Sequence, residues 1–213
     1  MLIITTGFKP DIKLAKKCGL KCNNGIVVNE CMETSDKNIY ACGDCSEIGF
    51  LFNETLTVGL ASIAREQARV IASNIVGKER KLKYVLNNTI SKIGKLFIGS
   101  VGANEQFLKR KGINWISATY NSFNRARYFV KKEKVSIKVI ADENGYILGS
   151  QIVSSNNIKD CLNLFALAIK KRIKLNEISE LETCYNPAAT NYLDEISIAC
   201  NICEKKLRLK YKK

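Results

Sequence analysis

The 213-residue chain contains no histidine. A mechanism that needs an imidazole base cannot draw one from it. No apolar run approaches the ~20 residues that a membrane-crossing helix requires. The opening Met1-Leu2-Ile3-Ile4 is too short for a signal-peptide core and has no basic stretch ahead of it, so a cytoplasmic location is expected. There is no internal repeat and no low-complexity tract. Acidic residues are scarce beside basic ones, 20 against 34, which leaves a net charge of +14. Six of the positive charges fall in the stretch 205–213, and the other basic runs are short: Lys109-Arg110-Lys111, Lys131-Lys132 and Lys170-Lys171-Arg172. No aromatic platform or recognition module accompanies them. A Lys-rich surface with a solvated, frayed tail is therefore expected, and nucleic acid is not expected as a partner.

What is present is enough for a folded protein. Apolar residues make up 46% of the chain, which supplies a real core and argues against disorder. The length suits one large or two small domains. Nine cysteines occur, at positions 18, 22, 31, 42, 45, 161, 184, 200 and 203. An odd number on a chain without an export signal argues against a disulfide scaffold, and most should be small buried apolar residues. Two pairs share a Cys-x-x-Cys spacing, Cys42 with Cys45 and Cys200 with Cys203. That spacing admits a redox dithiol or, with both pairs combined, a four-thiolate zinc site. Cys200 and Cys203 also share one helix face, which suits a core or an interface.

Along the chain, Leu2 to Gly7 reads as a short strand ending in a turn. Pro10-Asp11 opens a helix through Leu14, Ala15 and Cys18, stopped by Gly19. Strands are expected at Gly25–Asn29 and Lys37–Cys42. Leu60 to Val76 reads as a long helix, with Ile63, Ala64, Gln67, Ala68, Ile71, Ala72 and Ile75 at helical spacing and Gly77 just past its end. The charged run Lys78 to Lys83 marks a domain boundary. Beyond it, strands at Lys95–Ile98, Asn114–Tyr120, Val135–Ile140 and Tyr146–Val153 alternate with turns. Asp142-Glu143-Asn144-Gly145 is a hairpin signal. Helices are expected over Ile158–Lys171, with Leu162, Phe165, Ala166 and Ile169 on one face, and over about Tyr192–Leu207. This order predicts an α+β second domain with an antiparallel sheet.

The run Thr34 to Asp44 reads as polar turn, apolar strand, then Gly-Asp at the strand end. A carboxylate there faces the crevice where α/β sheets bind ligands. Gly43 permits close backbone approach, and Asp44 can accept two hydroxyl hydrogen bonds. The plainer alternative is a turn Asp that caps a helix.

Four stretches, in order and spacing, resemble the C-terminal half of a FAD-dependent pyridine nucleotide-disulfide oxidoreductase, similar to the NADH oxidase and coenzyme A-disulfide reductase branch. Thr5-Thr6-Gly7-Phe8-Lys9-Pro10-Asp11 resembles the family's exit from its NADH domain. Thr34 through Asp44 resembles its second flavin motif. Gly99-Ser100-Val101-Gly102-Ala103-Asn104-Glu105 resembles the opening of its dimerisation domain. Leu148 to Val153 with Tyr185-Asn186-Pro187 resembles its later landmarks. The resemblance implies a partial Rossmann-like FAD-binding segment (α/β) over residues 1–80, a dimerisation domain over 84–204 and a basic tail over 205–213. It implies that Asp44 holds the flavin ribityl chain, flanked by Ala41, Cys42 and Gly43. It places Leu60, Ala61 and Ser62 near the pyrimidine end of the isoalloxazine, where a helix N-terminus suits negative charge. Arg65 and Gln67, further along that helix, are expected to be structural.

The departures from the family pattern are informative. The sequence contains no Gly-x-Gly-x-x-Gly, so FAD has only a partial site and NAD(P)H belongs to the intact enzyme. The segment that carries the family's redox cysteine is also absent, and a truncated or split enzyme is the expectation. No catalytic residue is assigned. Where the coenzyme A branch has Tyr-x-Pro-Pro-Tyr and a late Tyr, this chain has Tyr185-Asn186-Pro187-Ala188-Ala189, with Asn201 near the late position, so a coenzyme A disulfide substrate is not expected; Tyr185 is expected to pack in the core, the alternative being that it donates a proton near the flavin of a partner subunit. The resemblance puts the two cysteine pairs in different domains, so no metal is expected, and Cys42 fills a small-residue slot. The expected role is the C-terminal portion of a flavin-dependent NAD(P)H oxidoreductase, forming a homodimer. The alternative is a non-enzymatic dimerisation fragment that needs a separate chain carrying the N-terminal FAD/NADH half, or a decayed gene product. Unpaired sheet edges should leave residues 1–80 marginal alone and the later domain sturdy.

Overall fold

A computed structural model describes residues 1–126, 128–187 and 190–211. The chain divides into two compact units, Met1–Val85 and Leu86–Lys213. Among the described residues no helix is long and apolar enough to cross a membrane.

The first unit begins with twelve residues outside any regular element, so the strand expected from Leu2 does not form. Leu2, Ile3 and Ile4 are exposed and find no ladder partner among the described residues, and a strand is not stable without one. Helix α1 (Lys13–Lys17) follows and ends at Gly19, whose φ of 73° only glycine adopts without strain. Strands β1 (Ile26–Val27), β2 (Ser46–Gly49) and β3 (Thr55–Thr57) form a small sheet in that order, with β1 parallel and β3 antiparallel to β2. Helix α2 (Ala61–Ile75) closes the unit, and Gly77 at φ 76° terminates it as expected. Met32, Ile48, Val58, Val70 and Val85 are buried together, with Leu56, Leu60, Ile63 and Ile71 packed against them.

The buried stripe of α2 is rotated from the expected one. Gln67 and Val70 are buried and Ile63, Ala64 and Ile71 half-buried, while Ala68, Ala72 and Ile75 face solvent. The sheet beneath is three short strands wide, so it covers only one flank of the helix.

The second unit is one five-stranded antiparallel sheet. Its strands are β4 (Thr89–Ile93), β5 (Leu96–Gly102), β6 (Ile116–Phe123), β7 (Lys134–Ala141) and β8 (Ile147–Ser154), in the order β4-β5-β8-β7-β6. Val135, Ile137 and Val139 of β7 are buried at period two, with Ser136 and Lys138 half-exposed between them, as a one-faced sheet requires. The β7–β8 hairpin turns at Asp142–Gly145 as its sequence predicts. Asp142 Oδ1 accepts from the N–H groups of Asn144 and Tyr146, both at 2.9 Å, and Gly145 takes φ 85°.

Helix α3 (Glu105–Arg110) is capped by Asn104, whose side chain accepts from Phe107 N–H at 2.8 Å. Helix α4 (Lys159–Lys171) lies over β5 and β8, burying Leu162, Phe165 and Ile169. Short helix α5 (Leu175–Ser179) packs on α6 (Glu195–Lys210), which covers β6 and β7. Asp194 caps α6, accepting from Ile196 and Ser197 N–H at 2.9 and 3.0 Å.

The basic tail departs from the frayed segment expected. Helix α6 continues through Lys210, with Arg208 paired to Glu204 one turn back. The ammonium groups of Lys206 and Lys210 donate to the carbonyls of Ser117 and Trp115, each at 3.3 Å. Cations at a helix C-terminus are favoured by its dipole, which helps extend the helix. Lys212 and Lys213 lie outside the described residues.

Candidate functional site

The strand expected over Lys37–Cys42 does not form either. Thr34 N–H donates to Ile39 O at 2.9 Å, Ile39 N–H to Asp36 O at 3.0 Å and Ala41 N–H to Met32 O at 3.2 Å. The segment satisfies its backbone within a local turn, so it never joins the sheet. Asp44 therefore stands not at a strand end but in a single 3₁₀ turn, Gly43–Cys45, that leads into β2.

That turn is tied to α2 by one buried side chain. Gln67 is only 2% exposed. Its Oε1 accepts from Gly43 N–H at 2.7 Å, and its Nε2 donates to Ser46 Oγ at 2.9 Å. Ser46 Oγ–H in turn donates to Gly43 O at 2.8 Å. The amide thus closes a ring around the backbone of Gly43, which sits at φ 77°. A Cβ at Gly43 would stand 3.8 Å from Ala64 Cβ, so the turn lies against the first turns of α2. Gln67 is structural, as expected, but its office is specific: it fixes the residue before Asp44.

The start of α2 completes the arrangement. Leu60 occupies the N-cap in extended conformation and has no side chain able to cap. Its carbonyl accepts from Ile63 and Ala64 N–H, both at 3.0 Å. The N–H groups of Ala61 and Ser62 have no partner among the described residues, as the first turn of any helix leaves them. No acidic residue lies in that first turn.

A Cβ on Gly59 would meet Phe8 Cζ at 2.9 Å and Asp44 Oδ2 at 3.8 Å. The Asp44 carboxylate is thus drawn up beside the segment that enters α2. Phe8 is also a wall of an open cleft of about 590 Å³, formed with Lys9, Pro10, Asn23, Asn24 and Thr57. Asp44 is exposed, and neither of its oxygens accepts a hydrogen bond from the described residues.

Of the site residues expected from the sequence, Ala41 is buried, Cys42 precedes the turn, and Gly43 and Asp44 lie in it; Gly43 stands against Ala64 of α2, and Asp44 beside Gly59, which leads to Leu60, Ala61 and Ser62. Sequence reasoning missed Gly59, which permits the approach of Phe8 and Asp44, and Glu47 beneath. Glu47 is 2% exposed, and its carboxylate accepts from Thr55 Oγ1 at 2.5 Å, Gly25 N–H at 3.0 Å and Asn23 Nδ2 at 3.4 Å. Burial pushes its carboxyl up, but the hydrogen bonds from Thr55, Gly25, Asn23 and Asn24 outweigh it and hold the carboxyl below the ordinary range.

Elsewhere, Cys200 and Cys203 face inward from α6 and are fully buried. Tyr185 is exposed rather than packed, with its hydroxyl against that of Tyr128. Ala188 and Ala189, which stand where the coenzyme A branch has Pro and Tyr, lie outside the described residues.

The donor set fits a polyol and an anion side by side. A free carboxylate accepts from hydroxyls, and unpaired N–H groups at a helix start donate to oxygen. Residues 1–68 match the family model for pyridine nucleotide-disulphide oxidoreductases, and residues 90–196 match the dimerisation domain of the same family. A NADH oxidase of Methanocaldococcus jannaschii is 37% identical over 209 residues, covering 97% of this chain and 47% of that protein. A NAD(P)H coenzyme A polysulfide/persulfide reductase of Pyrococcus horikoshii is 32% identical over 73% of this chain and 36% of that one. Among solved structures, a NAD-dependent persulfide reductase from A. fulgidus superposes with a TM-score of 0.89 at 30% identity, over 94% of this chain and 38% of that one. The water-forming NADH oxidase of Lactobacillus brevis shares the fold, with a TM-score of 0.89 at 19% identity over 96% of this chain and 46% of that one. The chain spans less than half the length of each of these relatives.

Proposed function

The chain belongs to the pyridine nucleotide-disulphide oxidoreductase family, whose members depend on FAD and NAD(P)H, and from that membership we propose that it acts as the C-terminal portion of an NADH oxidase-like enzyme. In this reading, residues 1–80 supply the ribityl-binding part of a FAD site and the following domain supplies a homodimer interface. The observation that carries it is the pairing of the unengaged Asp44 carboxylate with the uncapped start of α2.

When bound, FAD supplies the hydride acceptor that passes electrons from NAD(P)H to a terminal acceptor. The protein's part is to hold and orient. Asp44 accepts hydrogen bonds from ribityl hydroxyls with both oxygens. Gly43, lacking a Cβ, leaves the backbone open to the ligand, and Gln67 fixes that backbone by its bond to Gly43 N–H. Ala61 and Ser62 offer N–H groups and the positive end of the α2 dipole to the pyrimidine oxygens. Ala41 and Cys42 back the turn.

Homodimer formation draws support from the match to the dimerisation domain and from Ile90, Ile93, Leu96 and Ile98, exposed apolar residues on β4 and β5. A second reading, that the chain works only with a separate polypeptide carrying the rest of the cofactor sites, is favoured by the exposure of Leu2, Ile3, Ile4, Ile75 and Val76 in the first unit.

The test is equilibrium dialysis of the chain against FAD. A charged hydrogen-bond acceptor contributes about 1.5–3 kcal/mol, so Asp44→Ala should retain flavin at least about tenfold more weakly than the parent. Equal retention by both proteins, or none by the parent, overturns the reading.

A further inference from the structure

We propose that Cys42 and Cys45 form a reversible disulfide across the Gly43–Asp44 turn, made and broken by exchange with low-molecular-weight disulfides and thiols. Neither thiol is used in the cofactor chemistry above, and the family match assigns them nothing.

The backbone brings the two residues into range. Cys42 is extended and stands at the head of the 3₁₀ turn, which Cys45 ends. Such a turn keeps the Cα atoms of its first and fourth residues within about 7 Å. A disulfide takes Cα separations of about 4.4–6.8 Å. Cys45 already points back along the turn, with its Sγ 3.4 Å from Cys42 O. Both cysteines are half-buried, so a reagent from solvent reaches them.

The molecule carries its own contrast. Cys200 and Cys203 have the same spacing but are fully buried in α6, where burial pushes both thiols up, that of Cys203 to about 12. They have neither thiolate character nor access, and they are inert.

The chemistry balances as a thiol–disulfide exchange. The Cys42 thiolate attacks one sulfur of a small disulfide, whose S–S bond breaks and releases one small thiol. Cys45 then gives its proton to solvent and attacks the Cys42 sulfur, releasing the second small thiol. Two protein thiols are oxidised, and one small disulfide is reduced to two thiols.

The bridge would clamp the backbone on both sides of Asp44. It would thereby couple the thiol state to flavin retention, a consequence that rests on the cofactor reading above. The bridge itself does not rest on it.

Trypsin supplies a clean readout. The fragment Asn38–Arg65 contains Cys42 and Cys45 and neither lysine nor any other cysteine. The full chain, equilibrated with oxidised glutathione, then alkylated and digested, should yield this fragment two hydrogens lighter and unalkylated. Dithiothreitol should return it to the doubly alkylated form. Cys45→Ser should instead carry one glutathione on Cys42, and Cys200 and Cys203 should stay as thiols. A fragment alkylated at both cysteines after oxidation, or carrying two glutathiones, overturns the proposal. If the bridge forms but Asp44→Ala leaves flavin retention unchanged, the cofactor reading fails and the bridge stands. If flavin retention depends on Asp44 but no bridge forms, the bridge alone fails.

Discussion

Replacing Gly149 by alanine is expected to unfold the antiparallel unit or leave it barely stable. A Cβ at Gly149 would lie 2.0 Å from Ala103 O, 2.9 Å from Ala103 C and 3.0 Å from Ala103 N. These are backbone atoms, and they cannot turn away as a flexible side chain would. The Ala103 segment is itself fixed there by its N–H, which donates to Leu148 O at 2.9 Å. Relief requires pulling β8 away from the end of β5, in the centre of the sheet, where Gly102 faces Gly149 in register. Overpacking of this kind costs roughly 3 kcal/mol or more, a large part of a small unit's stability. Gly112→Ala is the control. Its φ of 64° is unfavourable to alanine, but nothing lies within 4 Å of the added Cβ, so the cost should stay near about 1 kcal/mol. Denaturant melts followed by circular dichroism distinguish the two, and equal midpoints would contradict the steric account.

Removing the buried acid of the first unit should also destabilise the protein. Glu47→Ala leaves the buried Gly25 N–H without its acceptor, whereas Thr55 Oγ1 and Asn23 Nδ2, on exposed residues, can turn to water. At about 1–3 kcal/mol for a buried group left unpaired, a loss of about that size is expected in the melt of this unit.

The same carboxylate sets an acid limb. Its pKa is held below the ordinary value, so its contribution is fully present above the unfolded value of about 4.3 and is lost as the pH falls through the lower folded value. Stability of the first unit should thus decline below about pH 4, and Glu47→Gln should flatten that decline. A Glu47→Gln protein with an unchanged acid limb would show that other carboxylates govern it.

Legibility in the sequence followed periodicity and turn chemistry. Helix α4 carried its apolar face at i, i+3 and i+7, and the structure buries Leu162, Phe165 and Ile169 there. The Asp142–Gly145 hairpin was readable because Asn-Gly chemistry dictates the turn. By contrast, β2 is Ser-Glu-Ile-Gly, a sequence with little strand propensity. It is a strand because its backbone pairs with β1 and β3, beside which Glu47 finds its donors at Asn23, Gly25 and Thr55, and no pattern of apolar residues announces that. Lys37–Cys42 has the opposite character: its apolar run Ile39–Cys42 suggests a strand, but the polar turn before it captures its backbone first.

The site was half legible. Gly43, Asp44 and the start of α2 could be named from a motif, whereas Gln67, read only as one helix-face position, proved to be the residue that holds the turn. A glutamine at a core-facing helix position is the signal that a buried polar partner must exist.

The cofactor assignment meets its most direct test in an amide chemical-shift titration of the isotope-labelled chain with FAD. The account predicts saturable movement of the Gly43, Asp44, Ala61 and Ser62 resonances, with the sheet strands from Thr89 to Ser154 left in place. Movement confined to residues beyond Leu86, or no saturable movement at these four amides, would contradict it.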